Sequence, residues 1–296
     1  MPTITGTAGN DNLIGTDTTD VISGLGGDDI IVATPGNDRY DGGDGFDTVD
    51  YSVSHEGLVV DLSITGTQDV VNNNLFETLT SIEGVIGSRQ GDILKGAAGQ
   101  NAIYGALGDD TITDPGGTNY LRGDDGADFI VGGPDFDDIN GNMGNDTCVS
   151  GGGDDWEVGG KDNDSLVGSA GQNLVYGNLG NDTCDGGDGF DIVRGGQDND
   201  VVNGGAGDDF VSGDRGDDTM TGGAGADSFH TFGEAGIDRV LDFSRSAGDR
   251  VQLDPGTVFT VSQIGADTVI DMTGGGRMIL VDVQMSTLTP GWIFGA

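Results

Sequence analysis

Residues 6–50 read GTAGNDNLI GTDTTDVIS GLGGDDIIV ATPGNDRYD GGDGFDTVD, five nine-residue units set end to end without a gap. A second block in the same frame opens at Gly87 and runs through sixteen more units to His230, giving 21 units in all. A fixed short period of this kind is the mark of a solenoid, in which each repeat buries its apolar face only against its neighbours. Numbering the slots from Gly6, slot one is Gly in 18 units, slot four is Gly in 16, and slot eight is apolar in 20, with Glu157 the exception. Slot six is Asp in 18 units and Asn in the other three, Asn101, Asn119 and Asn173. One apolar position flanked by variable ones is what a very short strand with a single inward side chain requires. Glycine at slots one and four is expected to supply left-handed turn conformations. A longer period overlies the short one: GALGDDTIT at 105, GNMGNDTCV at 141, GNLGNDTCD at 177 and GDRGDDTMT at 213 recur every 36 residues.

Composition points the same way. The 296 residues include 59 Gly, and 51 acids face 11 bases for a formal charge of −40. Five acids are Glu, which leaves 46 Asp; Asp joined to Gly means turns and oxygen ligands more than a merely acidic surface. At 34% apolar and 6% aromatic, the chain is poor material for a large hydrophobic interior. Glycine at this density opposes long helices. The charge excludes a basic nucleic-acid footprint, and no apolar run approaches the ~20 residues of a membrane span. High charge with few hydrophobes is the profile of a disordered polymer, yet the repeat is too regular for one. Cations are expected to complete the fold.

The unit resembles GGxGxDxUx, the nonapeptide of the RTX (repeats-in-toxin, hemolysin-type calcium-binding) proteins. The resemblance covers 189 of the 296 residues in phase. It implies an all-β chain built as a parallel β-roll, two units to an 18-residue coil, with six residues turning around calcium and three forming a strand. Calcium takes six to eight oxygens at about 2.3–2.6 Å, which carbonyls of a Gly-rich turn and the slot-six carboxylate can supply. The expected metal ligands are Asp11, Asp20, Asp29, Asp38, Asp47, Asp92, Asp110, Asp128, Asp137, Asp146, Asp155, Asp164, Asp182, Asp191, Asp200, Asp209, Asp218 and Asp227. Asp135, Asp162 and Asp198 replace the slot-four Gly, adding an oxygen or distorting the turn. If each ion lies between two units on one edge, the array holds up to about 17 Ca²⁺, enough to bring −40 close to neutrality. Disorder without calcium and a roll with it is the expectation.

Outside the array, residues 51–86 contain strand-like stretches around Leu58–Leu62 and Leu79–Ile86 bracketing an Asn-rich loop, Asn72–Asn74. This segment equals four units in length, so it reads as scaffold that preserves the frame. The organisation is therefore 6–50, a first repeat block; 51–86, a strand-rich insertion; 87–230, the main roll; and 231–296, a β-rich cap. The cap, with Asp238-Arg-Val-Leu-Asp-Phe-Ser and Gly248-Asp-Arg-Val-Gln-Leu, looks like the end domain of secreted serralysin-type proteins. That likeness implies an uncleaved signal for type I secretion machinery, consistent with a first stretch, Met1-Pro2-Thr3-Ile4-Thr5, that has no basic or apolar leader character.

No catalytic constellation is found. His55-Glu56 begins like a zincin helix, but Val59 stands where the second histidine is needed. Cys148 and Cys184 fall on slot eight two coils apart, about 9.6 Å at strand spacing, too far to bridge. Thr111, Thr147, Thr183 and Thr219 recur only every second coil, too sparse for an ice-binding rank. The expected protein is non-enzymatic, secreted to the extracellular space or cell surface, and folded by calcium as a structural or interaction component. End-to-end association of its open strand edges is a further expectation; a non-catalytic module accompanying a secreted toxin or hydrolase is the alternative.

Overall fold

The three extended residues at slots seven to nine point out, in and out, so every unit contributes one side chain to the interior. The computed structural model, which describes residues 1–71 and 74–295, shows this directly. Leu13, Ile31 and Val49 stack in register, as do Ile22 and Tyr40, each eighteen residues from the next. All pairing within the repeats is parallel. The chain divides into two compact units, Met1–Met143 and Gly144–Ala296.

In the first unit, Val85, Ile103, Leu121 and Ile139 form one inward rank and Leu94, Ile112 and Ile130 another. These side chains are almost wholly removed from water; each is worth roughly 1.5–3 kcal/mol of hydrophobic stabilisation. The insertion keeps the frame on one face only. Val85 pairs with Val49 across 36 residues, but Leu94 pairs with Val60 across 34 and Leu79 with Tyr40 across 39. An antiparallel hairpin, Thr67–Val71 with Leu75–Thr80, absorbs the difference. Of the anticipated Asn-rich loop, Asn72 and Asn73 lie outside the described residues.

In the second unit the ranks are Cys148, Leu166, Cys184, Val202, Met220, Val240 and Glu157, Val175, Val193, Val211, Phe229, Val251. Both cysteines are buried as thiols, and no disulfide joins them. Glu157 is fully buried among aliphatic neighbours, and desolvation pushes its carboxyl well above the usual range. Beyond the repeats, Ile237–Val240 and Arg250–Leu253 continue the parallel stack. Phe259–Ile264, Asp267–Met272 and Arg277–Leu280 then form an antiparallel meander over one end. No helix among the described residues is long and apolar enough to cross a membrane.

Candidate metal centres

The site is built from the turn outward. Left-handed backbone was expected at slots one and four; the structure places it at slots two and four instead. Leu25, Ala106, Asn142 and Asn178, all at slot two, have φ of 76–80°. At slot four, Gly27, Gly108 and Gly180 are left-handed, and Asp162 and Asp198 adopt the same conformation at φ 73° and 74°. Slot one is Gly for a steric reason. A Cβ at Gly204 would stand 2.7 Å from both Asp209 Oδ2 and the carbonyl oxygen of Gly222, one coil on. Gly24, Gly105, Gly177 and Gly186 meet the same pair of partners in their own coils. Slot one thus keeps a small space open between an aspartate oxygen and a backbone carbonyl.

All the expected ligands except Asp11 are buried. Along the repeats one carboxylate oxygen ties two coils together: Oδ1 accepts the N–H of the residue eighteen positions earlier, while Asp92 Oδ1, after the insertion, takes Leu58 N. Asp38 accepts from Asp20 at 2.7 Å, Asp110 from Asp92 at 2.7 Å, Asp182 from Asp164 at 2.8 Å and Asp218 from Asp200 at 2.8 Å. What the second oxygen does separates the units into two kinds. In turns with a left-handed slot two, Oδ2 of Asp29, Asp47, Asp110, Asp164, Asp182, Asp191, Asp200, Asp209, Asp218 and Asp227 is buried with no hydrogen-bond partner. Asp128, Asp146 and Asp155 occupy turns of the same backbone form.

In the remaining units slot two is not left-handed, and the protein itself satisfies the carboxylate. Thr16 N donates to Asp20 Oδ2 at 2.6 Å, Ser88 N to Asp92 Oδ2 at 2.6 Å and Gly133 N to Asp137 Oδ2 at 2.7 Å. Asp11 takes Thr7 N in the same way, and Asp38 accepts the Tyr40 hydroxyl at 2.9 Å.

Leaving a buried carboxylate oxygen unpaired is costly. Without a cation, desolvation first and neighbouring aspartates second raise these groups: Asp110, Asp164 and Asp200 to about 8, Asp209 to about 7 and Asp227 to about 6. The donors are all carboxylate and carbonyl oxygens, the set a hard divalent cation prefers and soft metals do not. Calcium held there would supply the positive charge that these aspartates lack.

The asparagines show the same space from the other side. Asn173 Nδ2 donates to Gly168 O at 3.1 Å and Gly186 O at 3.2 Å, the two slot-one carbonyls that flank the aspartate oxygen elsewhere. Its amide occupies with a donor what the other turns leave to an ion. Asn173→Asp is accordingly expected to raise the number of calcium ions bound per chain by one in a calorimetric titration; unchanged stoichiometry would count against this geometry.

Three features escaped sequence reading. Slot five forms its own exposed ladder, Asn163 Oδ1 accepting from Asn181 N and Asn181 Oδ1 from Asn199 N, at 2.8 and 3.1 Å. Repeated Asn and Asp at slot five are its visible signal. His230 lies between Ser212 Oγ, 3.2 Å from Nδ1, and Asp254 Oδ1, 3.2 Å from Nε2. Ser212 has no exposed surface and its hydroxyl donates to Asp214 at 2.7 Å, so no substrate can meet it; this trio is a strut, flanked by Phe210 and Phe232. The insertion also buries Glu77 against the Tyr51 and Tyr40 hydroxyls beside a cavity of about 420 Å³ lined by Thr34, Tyr51 and Leu58. Desolvation raises Glu77 to about 8, which leaves it protonated and uncharged at neutral pH.

No curated protein sequence matches the chain. Among solved structures it is similar to the extracellular lipase LipA of Serratia marcescens at 15% identity and a TM-score of 0.30, over 100% of this chain and 40% of that one. It therefore spans about two fifths of that protein's length. The family profile described as RTX calcium-binding nonapeptide repeat (4 copies) matches residues 3–31, 14–49, 85–113, 117–157, 158–193 and 194–229. With more than half of its length matched to that repeat, this chain belongs to the RTX calcium-binding nonapeptide repeat family.

Proposed function

We propose that the chain is a secreted, non-catalytic structural or interaction protein that folds when it meets extracellular calcium. The observation that carries this is the file of buried aspartate oxygens without partners, beside glycines whose missing Cβ keeps the space open. Its proposed ligands are the aspartates of turns with a left-handed slot two, at most about 13 ions and fewer than the sequence ceiling. Exported unfolded through a type I channel with the signal in 231–296, the chain would stay extended where calcium is scarce and coil where it is abundant. Sites near about 10⁻⁴–10⁻³ M suit that gradient.

Thr3–Thr5 and Asn12–Ile14 are the first strands of their sheets, each paired on one side only. Open edges of this kind recruit further strands, which supports end-to-end association in an extracellular or surface layer. The alternative, a module attending a secreted toxin or hydrolase, shares the calcium step but needs a partner chain. The test is a calcium titration of the metal-free chain followed by far-ultraviolet circular dichroism, with electron microscopy at both ends. A β transition near millimolar calcium is expected. A full β signal already present in EGTA overturns the reading, and monomers at high concentration with calcium remove the assembly part of it.

A further inference from the structure

Neither the inward rank nor the turns make a demand on the outward slots seven and nine, so what stands there can serve something outside the roll. In the second unit the two outer faces differ. One carries Thr147, Ser165, Thr183, Val201 and Thr219 in register at slot seven. The other carries Trp156, Leu174, Ile192 and Phe210. Neighbouring strands lie about 4.8 Å apart, so this second row is a flat apolar strip, with Trp156 53% exposed. Hydroxyls face water at no cost, whereas contiguous indole, aliphatic and phenyl groups on a surface mark a contact site.

A polar margin runs beside the strip. Slot nine of the same strands supplies Val158, Tyr176, Arg194 and Ser212, again in register. The Arg194 guanidinium lies 6.0 Å from the centre of the Tyr176 ring and donates to Asp214 Oδ1 at 2.8 Å. Arg194 and Asp214 line an open groove of about 320 Å³ with Asn178, Gln197, Arg215 and Phe232. Charge cancels there, Arg194 against Asp214 and Arg215 against Glu234 at 3.9 Å, on a chain whose formal charge is −40. The first unit has a cluster of the same kind. Tyr104 and Arg122 stand 72 residues before Tyr176 and Arg194, at the same slots. Arg122 lies 3.3 Å over the Tyr120 ring and donates to Asp138 at 2.8 Å. Of the five tyrosines, Tyr40 and Tyr51 are buried in the core, and the other three all occupy these outward positions.

A matching ligand has a flat apolar face, an edge dense in donors and acceptors, and no net charge. Sugar rings combine the three: C–H faces lie on aromatic and aliphatic groups, and hydroxyls meet guanidinium, carboxylate and amide side chains that donate and accept. We propose that this outer face of the second unit binds a neutral, ribbon-like polysaccharide, its rings laid along Trp156–Phe210 and its hydroxyls held by Arg194 and Asp214. The inference deepens the interaction role proposed above and rests on the calcium-folded roll.

The test uses the full chain in millimolar calcium, mixed with cellulose or chitin particles and measured by depletion. Retention on at least one is expected. Trp156→Ala combined with Tyr176→Ala should weaken it about tenfold, while Val201→Ala, on the opposite face, should leave it unchanged. Circular dichroism checks that each variant folds. Should the double variant fail to fold, oxidation of the wild-type chain by N-bromosuccinimide is the second measurement: cellohexaose or chitohexaose slows loss of Trp156 and not of Trp292. Absence of retention on both particles overturns the proposal, as does retention that a folded double variant keeps in full. Binding to alginate or anionic vesicles in place of the neutral particles overturns it too. So does a calcium-loaded dimer that the double variant converts to monomer, because the strip then covers a second copy. Failure of the calcium reading is seen separately, as a wild-type β signal that calcium does not change.

Discussion

Freed of calcium at pH 8, the chain is expected to be largely unfolded, and to recover β structure when acidified to pH 5 with no metal added. In the folded, metal-free state Asp110, Asp164 and Asp200 are raised to about 8 by desolvation, whereas an aspartate in an unfolded chain titrates near 3.9. A raised carboxyl pKa means that the folded state binds the proton more tightly. Stability is then complete below the unfolded value and is lost as pH rises through the folded one. At about 1.4 kcal/mol per pKa unit, each of these three groups restores on the order of 4 kcal/mol between pH 8 and pH 5. Together they rival the ~5–15 kcal/mol net stability of an ordinary domain. The proton does crudely what the divalent ion does: it cancels charge in a space that cannot be hydrated. At pH 5 the chain is still above its pI of about 4.1 and carries repelling negative charge, so the recovery can be followed by circular dichroism. A metal-free β signal that is flat from pH 8 to pH 5, or that falls on acidification, would show that the buried oxygens find other partners.

Gly204→Ala is expected to raise the calcium that the chain needs to fold. Its Cβ would enter the space between Asp209 Oδ2 and Gly222 O, 2.7 Å from each. Overpacking of this sort costs roughly 1–3 kcal/mol. Loss of the ion there costs about 1.4 kcal/mol more at calcium ten times above Kd. The variant should bind one calcium fewer and need more calcium to fold. Gly9→Ala is the control. Nothing lies within 4 Å of its added Cβ and its φ is not left-handed, so calcium demand should be unchanged. Equal behaviour of the two variants would mean that slot one is Gly for flexibility rather than for room.

Much of this architecture was legible because the frame is covalent and the physics repeats with it. An apolar residue every ninth position, between outward neighbours, has one place to go, and Val49, Ile112 and Val202 went there. The slot-six aspartates follow the same frame, and all but Asp11 are buried. What the frame concealed was the backbone of slot two, which decides whether an aspartate faces an open space or its own turn. The signal was present in side chains rather than in spacing. Thr7, Thr16 and Thr34 are β-branched and resist a left-handed φ; Pro115 is fixed near −65°; Gly133 precedes Pro134 and is driven to extended backbone. Ser88 and Ala97 carry no comparable constraint, and their turns were not readable. The hairpin of the insertion was not readable because its second strand joins the stack through Tyr40 and Leu79, 39 residues apart and out of the eighteen-residue register.

The coil-to-coil bonds at slot six all point one way, since the amide belongs to the earlier coil and the carboxylate to the later. The slot-five ladder runs the other way, its amide on the later coil and its acceptor on the earlier. A cut face toward the N-terminus therefore bares acceptors at slot six and donors at slot five, and a face toward the C-terminus bares the reverse, so that the two ends of the array are complementary to each other.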